Sequence, residues 1–190
     1  ARMSMKVTAA PSVEPCTAAE VKLIARMTAT GLDSLIASDY IPAARRACEQ
    51  RTQRYLTTQT VTLTLEDWPH GDCIDIPRGP ILSVTSIVYR DTTGSSQTLS
   101  SASYEFKQVS DSVPPEIALL PGYSWPALGD YEDAVIVTMQ AGYGATAAHV
   151  PHDLRMWVMA AAGEMVRTGS LDIPRDFAAG LLDAQSILSA

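Results

Sequence analysis

The sequence predicts an α+β protein: a helical body, made of N-terminal and C-terminal helices, that carries an inserted small antiparallel β domain. Three observations predict it. Apolar residues recur at three and four up to Leu56, the period changes to two from Thr58, and helical spacing returns after Gly144. The reading divides the chain into a flexible arm over 1–15, helices over 16–56, the β domain over 57–145, and C-terminal helices over 146–190 that form one structural unit with 16–56. At 190 residues and 46% hydrophobic, the chain has room for a helical part and a small β part but not for two large independent domains.

Taken in order, residues 1–15 mix Met, Ser, Pro and small residues and read as the flexible arm. Thr17 lies three residues before Glu20, the capping-box spacing, and opens a short helix through Val21 and Ile24 that ends near Gly31. Asp33 is the N-cap candidate of a second helix carrying Leu35, Ile36, Tyr40, Ala44, Ala47, Cys48, Arg51 and Tyr55. Pro42 lies inside it, lacks a donor and clashes with the preceding turn, so a kink or break is expected there. Arg45, Arg46, Arg51 and Arg54 then form a basic solvent face.

Val61, Leu63 and Leu65 alternate with Thr60, Thr62 and Thr64, which predicts a strand buried on one side. Trp68-Pro69-His70-Gly71-Asp72 ends it. A short edge segment, Cys73 to Ile76, leads into the rigid turn Pro77-Arg78-Gly79-Pro80, and Leu82 to Arg90 is a strand. The polar loop 91–96 joins it as a hairpin to Gln97-Thr98-Leu99. Tyr104 to Val109 and Glu116 to Leu119 are weaker strands, and Ala134 to Gln140 alternates cleanly. Pro151 starts a helix that is apolar nearly all round from Leu154 to Arg167, so it must be enclosed by others, with Trp157 in its core. Gly169 stops it. A last helix from Asp172 carries the stripe Phe177, Leu181, Leu182, Ile187 and Leu188.

Composition narrows function. No apolar run reaches the roughly 18 residues of a membrane span, and 1–15 holds no signal-peptide block, so the chain reads as soluble, intracellular and without membrane contact. Cys16, Cys48 and Cys73 are odd in number and far apart, which fits reduced small hydrophobes. The net charge of -7 argues against wrapping nucleic acid. It is unevenly spread: 1–56 holds 8 basic and 5 acidic residues, 57–190 holds 6 and 16. Such a split can orient neighbouring subunits or partners.

No constellation for chemistry emerges. His149 and His152 are separated by Pro151 and lack a third ligand beyond Asp153, so no metal is expected. Gly142-Tyr143-Gly144 lacks the spacing of a phosphate loop, so no nucleotide cofactor is expected either. Asp130, Glu132 and Asp133 lie in a polar stretch and read as solvated. The four arginines read as a solvated or intersubunit ion-pair face rather than a nucleic-acid contact. An enzyme, with a hydrolase the least implausible, and a generic protein-binding module stand as the competing classes.

The chain resembles the head-tail connector, or adaptor, proteins of long-tailed phages, prophages and gene transfer agents. The resemblance rests on Arg54-Tyr55-Leu56-Thr57-Thr58-Gln59-Thr60 running to Trp68-Pro69, on Ile76-Pro77-Arg78-Gly79-Pro80-Ile81 with Ser83 to Ile87, and on Tyr89-Arg90-Asp91 and Ser124-Trp125-Pro126. It continues in Ala141-Gly142-Tyr143-Gly144 and Val150-Pro151-His152-Asp153-Leu154, and spans about residues 20–168. Pro42 departs from the family pattern, and 170–190 carry no signature of it. These motifs are structural: prolines fix turns, glycines let backbones approach, and Trp125-Pro126 is expected to plug the β domain against the helices.

The resemblance implies a non-enzymatic virion structural protein at the capsid-tail joint, made in the host bacterial cytoplasm. It implies a dodecameric ring of this chain between the portal protein and a stopper or tail-completion protein, with DNA passing through the lumen without sequence-specific binding. Within that frame the stripe Phe177, Leu181, Leu182, Ile187 and Leu188 is the expected portal contact, against the alternative that it folds back on the preceding helix.

Overall fold

In the computed structural model the described residues are 2–28, 31–108, 110 and 113–169, and they divide into two compact units, 2–10 with 59–142 and 11–58 with 143–169. The chain is α+β with every strand pair antiparallel.

Among its described residues the first unit holds eight strands: β1 (Met3–Ala9), β2 (Gln59–Leu65), β3 (Cys73–Asp75), β4 (Ile81–Arg90), β5 (Ser96–Thr98), β6 (Tyr104–Lys107), β7 (Glu116–Leu119) and β8 (Val135–Ala141). They make a five-stranded sheet in the order β1-β2-β8-β4-β5 and a three-stranded sheet in the order β3-β7-β6. β2 and β8 are central, and their threonine or valine alternation buries one face completely: Val61, Leu63, Val137 and Met139 are sealed while Thr60, Thr62 and Thr64 are half-buried. Period-2 alternation thus sets the register, because a slip of one residue would turn the apolar set outward. Two β-bulges in β4, at Ile81/Ser83 and Val84/Ser86, leave Leu82 and Thr85 exposed.

Residues 3–9 correct the expectation of a flexible arm, since they form β1 and pair with β2 from Met3↔Leu65 to Ala9↔Thr60. Met3, Met5 and Val7 do alternate with Ser4, Lys6 and Thr8, but the partner strand lies more than fifty residues away and no side chain of β1 is buried. Pattern without burial is a weak signal.

The second unit packs α1 (Ala18–Ile24), α3 (Ile41–Thr52) and α4 (His152–Thr168) around one core. Thr17 and Glu20 form the capping box as expected, the Glu20 N–H donating to Thr17 Oγ1 and the Thr17 N–H to Glu20 Oε2 at 2.8 Å. α1 ends earlier than its apolar spacing predicts, at Ala25. Gly163 of α4 faces this end, where an added Cβ would lie 3.2 Å from that of Ala25, so the glycine sets how closely the two helices approach.

The helix expected from Asp33 is real but built in three pieces: α2 (Asp33–Leu35), a π-helical turn over Ile36–Tyr40, and α3. Pro42 occupies the first turn of α3, and the Ile41 N–H reaches back five residues to the Ile36 carbonyl. The widened turn accommodates the proline ahead of the regular ladder. Asp33 is the first helical residue rather than a cap, and its carboxylate takes Lys22 Nζ at 2.6 Å. α4 stops at Gly169 with φ 71, the left-handed C-terminal geometry that glycine favours. Its inner face, Leu154, Trp157, Val158, Ala161, Ala162 and Met165, is buried against Val21, Ile36, Ile41, Ala44 and Cys48. Burial pushes the Cys16 and Cys48 thiols up to about 12, which fits inert small hydrophobes. Among the described residues, no helix is long and apolar enough to cross a membrane.

Candidate assembly surfaces

The arginines expected to share one solvent face do not do so. Arg46 and Arg51 are exposed, and Arg51 lies over the Trp157 ring at 5.5 Å. Arg45 and Arg54 are 5% and 1% exposed. Arg45 donates through Nε to Glu14 at 2.8 Å and through Nη1 to Glu49 at 3.0 Å, while the other Glu49 oxygen accepts the Leu56 N–H at 3.0 Å. Arg54 donates to the Tyr143 hydroxyl at 2.7 Å. Continuation of the helix through Arg54 suggested a common face, but α3 ends at Thr52 and partners at Glu14 and Tyr143, remote in sequence, draw two of the four inward. The intersubunit reading therefore narrows to Arg46 and Arg51.

Tyr143 also donates its N–H to the Leu56 carbonyl at 3.0 Å, and the Gly144 carbonyl accepts the Thr58 N–H at 3.1 Å. A Cβ on Gly144 would meet His149 Cγ at 2.5 Å, so glycine is required there for packing. The Gly142 N–H in turn donates to the Pro80 carbonyl at 2.9 Å, next to the cis Gly79-Pro80 peptide of the Pro77-Arg78-Gly79-Pro80 turn. His149 is occupied by Thr146, Nδ1 to Oγ1 at 2.8 Å. No group of three metal-binding side chains occurs among the described residues.

Trp125-Pro126 finds its partners in the β unit itself. The Trp125 ring stacks on Trp68 with centroids 4.4 Å apart and planes at 13°, its Nε1 donates to the Gly71 carbonyl, and Trp68 Nε1 donates to the Pro126 carbonyl, both at 2.8 Å. This double clamp fixes Trp125-Pro126 of the irregular segment 121–133 against the loop that follows β2. Arg90 extends it, pairing with Asp133 at 2.9 Å and lying over the Tyr131 ring at 5.1 Å. Two shallow acid-lined depressions result, one bordered by Arg2, Ser4, Thr64, Glu132 and Asp133, the other by Glu66, Asp67, Trp68, His70 and Asp130. Among its described residues the β unit carries ten acidic and five basic side chains, the helical unit seven and eight. The charge asymmetry thus follows the units.

The hairpin loop after β4 is organised by Asp91, whose carboxylate accepts from Thr93 N and Oγ1, Ser95 N and Gln97 Nε2 at 2.6–3.0 Å. These bonds, that of the Thr93 side chain first, pull its pKa down to about 2. A depressed pKa stabilises the fold above the unfolded carboxyl value near 3.9, and that contribution is lost as pH falls through about 2. An NMR titration of the Asp91 carboxyl should therefore show a midpoint near 2; a midpoint near 4 would mean that the loop bonds are not formed in solution.

The stripe Phe177, Leu181, Leu182, Ile187 and Leu188 lies outside the described residues. The exposed apolar side chains of the helical unit include Leu23 at 80%, outside the expected apolar series, and Ile24 and Leu35, which that series had placed on buried faces.

No family model matches the chain, and no curated protein matches it in sequence. Solved structures do match over nearly the whole length. A chain in the neck of the empty GTA particle, computed with C6 symmetry, is 22% identical with a TM-score of 0.79, covering 98% of this chain and 97% of that one. A chain of the virion of the native gene transfer agent (GTA) particle is 24% identical with a TM-score of 0.80, covering 98% and 96%. One in the neck of the native GTA particle, computed with C12 symmetry, is 22% identical with a TM-score of 0.72, covering 98% and 97%. The fold of this chain is the fold of chains found in gene transfer agent particles and their necks.

Proposed function

We propose that this chain is a structural, non-enzymatic head-to-tail connector subunit of a phage-like particle. In this reading it forms a twelve-membered ring between the portal protein and a stopper or tail-completion protein, with DNA passing through the lumen. The observation that carries the proposal is the agreement of fold over 98% of the chain with neck chains in assemblies computed with C6 and C12 symmetry. A ring of twelve satisfies both symmetries. Heterologous contacts close such a ring, and units of different charge supply dissimilar faces for them. The acidic β unit suits a conduit, because like charge limits sticking of DNA.

The portal contact is assigned to the stripe Phe177, Leu181, Leu182, Ile187 and Leu188, an amphipathic pattern suited to a groove and multiplied by avidity around a ring. Particles made with the full chain or with a chain lacking 174–190 test both statements by immunoblot. The full chain is expected in purified particles and the truncated chain, though folded, is expected to be missing. Absence of the full chain overturns the function; a truncated chain that still joins particles moves the portal contact elsewhere; insoluble truncated protein returns the segment to the core.

A further inference from the structure

We propose that β1 of each copy pairs with β2 of the neighbouring copy, so that the ring is tied by strand exchange; the inference rests on the ring reading above. β1 is held in place by its ladder to β2 and by a few polar bonds, with Arg2 N donating to Glu66 Oε2 at 3.2 Å and Thr8 Oγ1 to the Thr60 carbonyl at 3.3 Å. Six of its seven side chains are exposed and none is buried, Met3 and Val7 being 45% and 40% open. Among the described residues the strand buries no side chain in the core of its own copy; Met5 is half-buried and Met3 borders a small depression with Leu65 and Ile74. Every bond it makes to β2 can be made identically to β2 of a second copy, which is why exchange of an element costs so little.

The chain path favours that exchange. β1 and β2 are joined not by a hairpin but through the whole of α1 to α3, so no turn fixes them in one copy. Downstream of β1 the chain is first pinned at Glu14, by Arg45, and at Pro15, whose carbonyl accepts from Arg155 Nε at 2.9 Å. The four residues between, Ala10 to Val13, are exposed or half-exposed and bend at Ser12 and Val13, so the connection is not drawn to its full length within one copy. An extended span of four residues reaches about 14 Å. In a ring the neighbour's β2 is present at an effective concentration in the millimolar range, which offsets the weakness of a strand held without a core. The receiving edge is also one that must be covered, because β2 is a central strand with seven residues of backbone donors and acceptors. The opposite side of the same sheet is managed differently, with two bulges in β4 and a β5 of only three residues.

The test places cysteines at the paired positions Ser4→Cys and Thr64→Cys in a Cys73→Ser background, Cys16 and Cys48 being buried. Purified particles carrying this chain are treated with a short bis-maleimide, denatured and blotted for the chain. Exchange predicts a ladder of two, three and more linked chains, with most of the signal above the single-chain position. Linked chains that all migrate singly show each β1 on its own β2 and overturn the proposal while leaving the ring intact. The Lys6→Cys/Thr62→Cys pair, one pleat further along, must give the same pattern; a ladder from one pair and single chains from the other also overturns it. Wild-type chain missing from the particles overturns the ring reading itself.

Discussion

Replacing Arg45 by alanine should destabilise the chain by about 3–5 kcal/mol, the cost of breaking a buried ion pair from one side. Arg45 and Glu49 are 5% and 4% exposed, and Glu49 divides its oxygens between Arg45 and the Leu56 N–H. Without the guanidinium, Glu49 is a buried carboxylate that has lost its Arg45 partner, and the segment before α1 loses its anchor at Glu14. Urea unfolding of the wild type and Arg45→Ala reads the difference. A loss under 1 kcal/mol would place Arg45 among ordinary exposed pairs, which typically give 0–1 kcal/mol. Arg46→Ala serves as the control on the neighbouring position, since Arg46 is exposed and donates to the Pro42 carbonyl at 3.3 Å.

Trp157→Ala should cost about as much, roughly 3–5 kcal/mol for deleting a large core aromatic. Trp157 is 1% exposed and packs within the cluster formed by α1, α3 and α4. Its indole N–H has no acceptor among the described residues, so the ring is retained for its volume and for the Arg51 contact rather than for a hydrogen bond. Trp157→Phe should therefore be much milder than the alanine change, because it keeps a ring and removes an unsatisfied donor. The same unfolding experiment decides: equal losses for Phe and Ala would mean that the N–H has a partner whose loss dominates.

Local signals in the sequence carried far, and long-range ones did not. Thr17 with Glu20 was legible because a capping box is complete within four residues, and β2 and β8 were legible because one face of each is wholly buried. β1 alternates as regularly over Met3 to Thr8, yet it buries no side chain and its partner is remote, so nothing local distinguished it from an arm. The arginines from Arg45 to Arg54 show the converse error: a continuous helix proposed a common face, whereas α3 ends at Thr52, and Glu14 and Tyr143, 31 and 89 residues away from their partners, divided it. Pro42 announced an irregularity without its form, because a π turn is one of several ways to relieve the ring. The stacking of Trp68 on Trp125 joins two Trp-Pro pairs whose meeting only the folded chain reveals.

The central claim is that this chain joins head to tail, and electron microscopy of particles produced with and without it tests that claim most directly. The account predicts tailed particles when the chain is present and, when it is absent, closed heads and free tails that never join, with the full chain restoring the joint. Tailed particles that assemble in normal number without the chain would contradict it.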